Sequence, residues 1–140
     1  MDISSDVISI VSDSDNSATS GLVLHGDQLN HLGADSLLLG GARTQGDGGL
    51  ALDVSASKIT VGSGVSLSLP EVIFAATGEL SFGQGSEISA EGTANVGGET
   101  YKLTGDTAVA IASVGELSNL QREQTSGSAS LVVEDGAKIN

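Results

Sequence analysis

Short runs with an apolar side chain at every second position, each broken after seven or eight residues by Gly, Ser, Asp or Pro, constrain this chain most. Such runs make half-buried β-strands and leave no room for long helices. Between Gly64 and Gly92 the sequence reads VSLSL-P-EVIFAAT-G-ELSFGQG-SEISAE-G. Val65, Leu67 and Leu69 alternate with Ser66 and Ser68, and Val72, Phe74 and Ala76 continue the pattern. Leu80 and Phe82 follow, then Ile88 and Ala90. Elsewhere the inward positions read as Ile8 and Ile10, Leu22 and Leu24, Leu37 and Leu39, and Leu50, Leu52 and Val54. Ile59 and Val61, Tyr101 and Leu103, Val109 and Ile111, and Leu131 and Val133 complete the set.

The breaks between runs decide how the strands are arranged. Antiparallel sandwiches join strands by Asn-Gly or Asp-Gly hairpins or by longer loops. Here a lone Gly, the lone Pro70, or a short Gly-x-Gly separates the runs, as at 62–64 and 83–85. Such breaks turn a strand through a corner, and repeated corners stack successive circuits at about 4.7–4.9 Å. The expected fold is therefore all-β, a right-handed parallel β-helix with every ladder parallel. At roughly 20–25 residues per circuit the chain holds about five or six rungs.

Composition agrees. Hydrophobic residues make up 39% of the 140 and aromatic residues 2%, so the core must be aliphatic, as a narrow lumen requires. Twenty Gly against one Pro excludes collagen-like and polyproline architectures. A net charge of −13 argues against surfaces that neutralise phosphate, hence against nucleic acid and anionic lipid as direct partners. Cysteine is absent, which fits the cytosol and fits equally a chain threaded unfolded across an outer membrane. The start, MDISSD, has neither a basic nor an apolar region of a signal peptide. An exported form is thus expected to be an internal fragment of a longer chain. No apolar run approaches the ~18 residues of a membrane helix.

A single domain over 1–140 is expected, with two or three departures from the strand pattern. Segment 27–33 (DQLNHLG) reads as one helical turn, with Asp27 as N-cap, Leu29 and Leu32 on one face, and Gly33 after its end. Segment 12–20 is rich in Ser and Asp and is expected to be mobile. Segment 115–127 (GELSNLQREQTSG) lacks alternation and is expected to protrude as a loop or short helix.

Segment 29–43 (LNHLGADSLLLGGAR) and segment 69–76 (LPEVIFAA), with the Gly-x-Gly run after it, resemble filamentous-haemagglutinin-type outer-membrane proteins over residues 20–140. The resemblance implies a long right-handed β-helix, exported by the two-partner route and displayed on or shed from a Gram-negative cell. It implies an outer-membrane transporter for the parent chain and an adhesion partner on a host surface or a neighbouring cell. The Asn-Pro-Asn-type motifs of the family's secretion domain do not occur here. No adhesive residue carries over from these motifs.

Candidate sites are few. His25, Asp27 and His31 lie close in sequence, but zinc sites take three or four ligands, and there is neither Cys nor a third His. They read as polar residues around a capped turn. Gly46-Asp47-Gly48-Gly49-Leu50-Ala51-Leu52-Asp53 is partly like the calcium nonapeptide G-G-x-G-x-D-x-U-x, in the wrong order and without repetition. It reads as a Gly-rich turn entering a strand. No G-x-S-x-G elbow, P-loop or dinucleotide fingerprint is present. Aromatic poverty weakens sugar stacking, and Tyr101 reads as an inward strand residue.

The expectation is a non-enzymatic structural or adhesive module, secreted or on the cell surface, with no catalytic residue, cofactor or metal. Its open strand ends are expected to self-associate. The rivals are a polysaccharide-degrading β-helix, which needs clustered carboxylates on neighbouring rungs, and a β-sandwich binding module, which needs antiparallel hairpins.

Overall fold

The computed structural model describes residues 1–12, 21–46, 49–92, 100–104, 107–115, 119–123, 130–133 and 138–139. In chain order these form β1 (Asp2–Ile3), β2 (Val7–Val11), β3 (Leu22–His25), the one-turn helix α1 (Gly26–Asn30), β4 (Leu37–Leu39) and β5 (Gly41–Gly46). Next come β6 (Gly49–Val54), β7 (Lys58–Val61), β8 (Ser66–Leu69), β9 (Glu71–Ala76), β10 (Glu79–Phe82) and β11 (Glu87–Ala90). The last are β12 (Thr100–Thr104), β13 (Ala108–Ser113), β14 (Asn119–Glu123), β15 (Ser130–Val133) and β16 (Lys138–Ile139). The chain is all-β, and its sheets are small.

Four sheets result, ordered β1-β4-β9-β13, β15-β10-β7-β2-β3, β16-β11-β8 and β14-β12-β6-β5. Most ladders are parallel. Lys58–Val61 aligns with Glu79–Phe82, and Ser66–Leu69 with Glu87–Ala90. The same offset recurs where Thr77 Oγ1 donates to the carbonyl of Ala56, 21 residues earlier. Other returns are longer. Ser36 meets Glu71 after 35 residues, and Asp6 meets Ser57 after 51. Two ladders run antiparallel, β5 with β6 and β9 with β13. The expectation of uniformly parallel ladders is corrected here, and so is the even succession of five or six rungs. Both longer returns contain the excursion of β5 and β6 into the fourth sheet, and the longest also contains β3 and α1.

The fourth sheet explains the most apolar stretches. One core gathers Ile8, Ile10, Ile59, Val61, Leu80 and Phe82 from the second sheet. Leu67, Leu69 and Ile88 of the third sheet face them, with Leu37, Leu39, Val72 and Phe74 of the first. Phe74 and Phe82 meet edge to face at 5.3 Å inside it. A second core lies on the opposite face of the first sheet, where Leu38, Ile73 and Ala75 pack against Leu52 of β6 and Tyr101 of β12. All six residues of β9 are therefore buried, as are all three of β4. A sheet covered on both faces needs continuous apolar runs, which LLL and VIFAA supply. Each Leu, Val, Ile or Phe among them contributes about 1.5–3 kcal/mol when fully buried. Val109 and Ile111, expected to face the same core as the rest, pack on the second one, while Ala108, Ala110 and Ala112 line the first.

Glycine and proline corners carry the chain between sheets. Gly64, between β7 and β8, has φ +74° and open space around a would-be Cβ, so the demand there is conformational. Gly40 differs. It has φ +107°, and a Cβ on it would collide with the carbonyl oxygen of Ala75 and lie 2.9 Å from Ile59 Cδ1. Its carbonyl accepts from Ser55 N and Ala56 N, and its own N–H donates to Ile3 O. Three segments converge on this residue, so none can retreat. Gly40→Ala is expected to destabilise by about 3 kcal/mol or more, through strain plus the collision. A urea midpoint within error of the parent's would show that the approach is not close.

The expected helical turn forms two residues earlier than an Asp27 N-cap implies. His25, not Asp27, occupies the N-cap and makes no side-chain cap bond. Gly26 is buried, and a Cβ there would lie 3.2 Å from Val65 Cγ1, so contact with Val65 fixes where the helix starts. Leu29 is buried, but Leu32 is 41% exposed and shares no buried face with it. Within 115–127, Asn119–Glu123 pairs in parallel with β12, which makes that part sheet, not loop. The expected mobile segment falls, from residue 13 to 20, outside the described residues.

Candidate functional site

The densest set of polar contacts lies where β1, the first sheet and the fourth sheet meet. Asp2 of β1 aligns with Leu38 and so projects on the face that carries Leu38 and Ile73. Arg43 of β5 reaches it, donating from Nε to Oδ1 at 2.8 Å and from its backbone N–H to Oδ2 at 2.8 Å. Nη2 lies 2.6 Å from Oδ1. Arg43 Nη1 donates to Ser36 Oγ at 2.7 Å, and Ser36 Oγ donates onward to Glu71 Oε1 at 2.6 Å. Tyr101 of β12 also hydrogen-bonds Arg43.

The electrostatics follow from this geometry. Burial alone would raise the Asp2 carboxyl, but the hydrogen bonds and positive charge of Arg43 outweigh it and hold it below the usual carboxylate range. Burial alone would lower the Arg43 guanidinium, yet its bonds to Asp2 and Tyr101 raise it. Glu71 is 2% exposed, and its Oε2 has no hydrogen-bond partner. The cation therefore bonds the Asp2 carboxylate directly and reaches the deeply buried Glu71 only through the Ser36 hydroxyl.

The cluster fits clamping better than turnover. Arg43 spends its N–H groups on Asp2, Ser36, Tyr101 and the carbonyls of Met1 and Ser36, which leaves no fork for an anionic substrate. Glu71 and Ser36 are in hydrogen-bond contact, but a carboxyl buried to this degree offers no approach to a reacting group.

The residues singled out in the sequence do not converge. His31 Nδ1 donates to the carbonyl of Asp27 at 2.7 Å and lies 3.5 Å from Asp27 Oδ1, with side chains 76% and 58% exposed. A pair so solvated contributes little. Among the described residues no three His, Asp or Glu side chains come together as metal ligands. Of the glycine-rich stretch, Gly46 and Gly49 face each other across β5 and β6, and Asp47 lies outside the described residues. A hollow of about 230 Å³ beside α1 is lined by Ser12, Asn30, Ser66 and Asp27, the one titratable side chain there. Sequence reasoning missed Arg43, because Asp2 and Tyr101, and Glu71 reached through Ser36, are distant along the chain.

Compared with known protein families, with curated proteins and with solved structures, the chain matches none of them.

Proposed function

We propose that this chain is a structural module of a large exported bacterial surface protein, a right-handed parallel β-helix serving as part of a stiff shaft. The observation that carries the reading is parallel pairing between segments of one offset in two different sheets, β7 with β10 and β8 with β11. Parallel strands of one sheet need a crossover, and crossovers are right-handed in nearly all proteins. The β5–β6 excursion and the rest of the fourth sheet then form an outer layer on one side of the coil. Each added coil pairs with its neighbour and buries a few aliphatics, so stability and stiffness grow along the stack. The charge of −13 and the resemblance carried by residues 29–43 and 69–76 support export through an outer-membrane transporter, and the absence of Cys is compatible with it. An adhesion partner on a host or neighbouring cell is the corresponding ligand class. The Arg43 cluster is then a clamp between layers rather than an active site.

An antibody raised against the folded chain tests this. It is expected to label intact, unpermeabilised cells that make the protein, and to lose that label when the outer-membrane transporter is deleted. Labelling that appears only after permeabilisation overturns the reading.

A further inference from the structure

We propose that α1 is a plug standing in for a missing strand, and that it closes the β8 edge of the third sheet to a second copy of this chain. The third sheet stops at β8, and among the described residues no strand pairs with that edge. The carboxamide of Asn30 occupies it instead. Its Nδ2 donates to Ser66 O at 3.0 Å, and its Oδ1 accepts from Ser68 N at 2.7 Å. In a parallel ladder, a residue opposite Leu67 would make this same pair of bonds, to the carbonyl before it and from the amide after it. The Asn30 carboxamide thus takes the place of the backbone N–H and C=O of one residue in a neighbouring strand.

The residues around it complete the closure. Leu29, 3% exposed, belongs to the same core as Leu67 and Leu69 and covers it from the helix side. Gly26 lets the helix approach Val65 closely, which brings Asn30 within reach of β8. An edge whose amide and carbonyl are already bonded, beside a sealed core, offers no template for strand addition. This inference needs only the pairing order and goes beyond the export reading, whose failure would leave it standing.

In the unaltered protein, NMR is expected to show a scalar coupling across the hydrogen bond from the Ser68 amide nitrogen to the Asn30 carboxamide carbon. Asn30→Ala is expected to speed exchange of the Ser68 amide by about tenfold or more. It should also raise the weight-average mass in light scattering above the parent's at equal concentration. Asn30→Asp removes the donor as well, but it places a charge on the edge and should not associate. Absence of the coupling overturns the proposal. So does an Asn30→Ala mass no higher than that of the parent or of Asn30→Asp, since general destabilisation would affect both variants alike. If Asn30→Ala does not fold, the coupling and the slow Ser68 exchange of the parent decide by themselves.

Discussion

Replacing Ile73 with aspartate is expected to cost about 4 kcal/mol or more, as a buried unpaired carboxylate does. Phe74→Asp and Leu67→Asp should cost as much, although Ile73 faces away from the core those two occupy. Strict alternation makes Ile73 an outward position, next to the inward Val72 and Phe74, and would have it tolerate charge. It does not, because the fourth sheet lies over it, and Ile73 is as fully buried as Val72. Domains of this size are stable by about 5–15 kcal/mol, so the loss would leave the variant near unfolding. Urea titration measures it, followed by far-UV circular dichroism and by emission from Tyr101. That residue is the single Tyr of the chain and sits in the second core, which makes it a local reporter. Ser66→Asp, at an exposed position, should stay within about 0.5 kcal/mol of the parent. If Ile73→Asp proves as mild as Ser66→Asp, no layer covers that face.

Period-two reading located much of the first core. Ile8, Ile10, Ile59, Val61, Leu67, Leu69, Leu80, Phe82 and Ile88 were all expected inward, and all are buried. These strands have one solvated face, so serines and charges mark the other side. Where both faces are covered that mark is missing, and LLL at 37–39 and VIFAA at 72–76 show the lack of polar alternates that signals it. The hairpin had a cue too, since Asp47-Gly48 is a favoured turn dipeptide lying between Gly46 and Gly49. The Arg43 cluster and the Asn30 plug had no comparable cue. Asn30 bonds a strand 36 residues away, and only the fold brings the two together. Helix spacing in 27–33 was read correctly as a turn, but a capping rule based on Asp27 could not anticipate that Gly26 packs on Val65 and starts the helix earlier.

Arg43 holds two layers together, and its removal should be felt in both stability and acid response. Arg43→Ala leaves Asp2, Ser36 and the buried Glu71 without their shared cation, at an expected cost of about 3 kcal/mol. The value lies at the low end for a broken buried pair because Asp2 keeps 26% of its side chain in contact with water. Arg43→Lys should recover part of the loss, since one ammonium cannot reach Asp2 and Ser36 in the same fixed fork. Adding Glu71→Gln to Arg43→Ala should also recover part, by removing the carboxylate left most isolated. The pH dependence has a definite sign. Asp2 is held below its ordinary range in the folded protein, so its stabilisation is fully present above the unfolded value, near about pH 4. It is lost as pH falls through the lower folded value. Urea midpoints measured between about pH 2.5 and 7 should therefore separate parent from Arg43→Ala most at neutral pH and converge in acid. Parallel curves across that range would mean that Arg43 contributes packing alone, and that the hydrogen-bonded carboxylates draw no charge stabilisation from it.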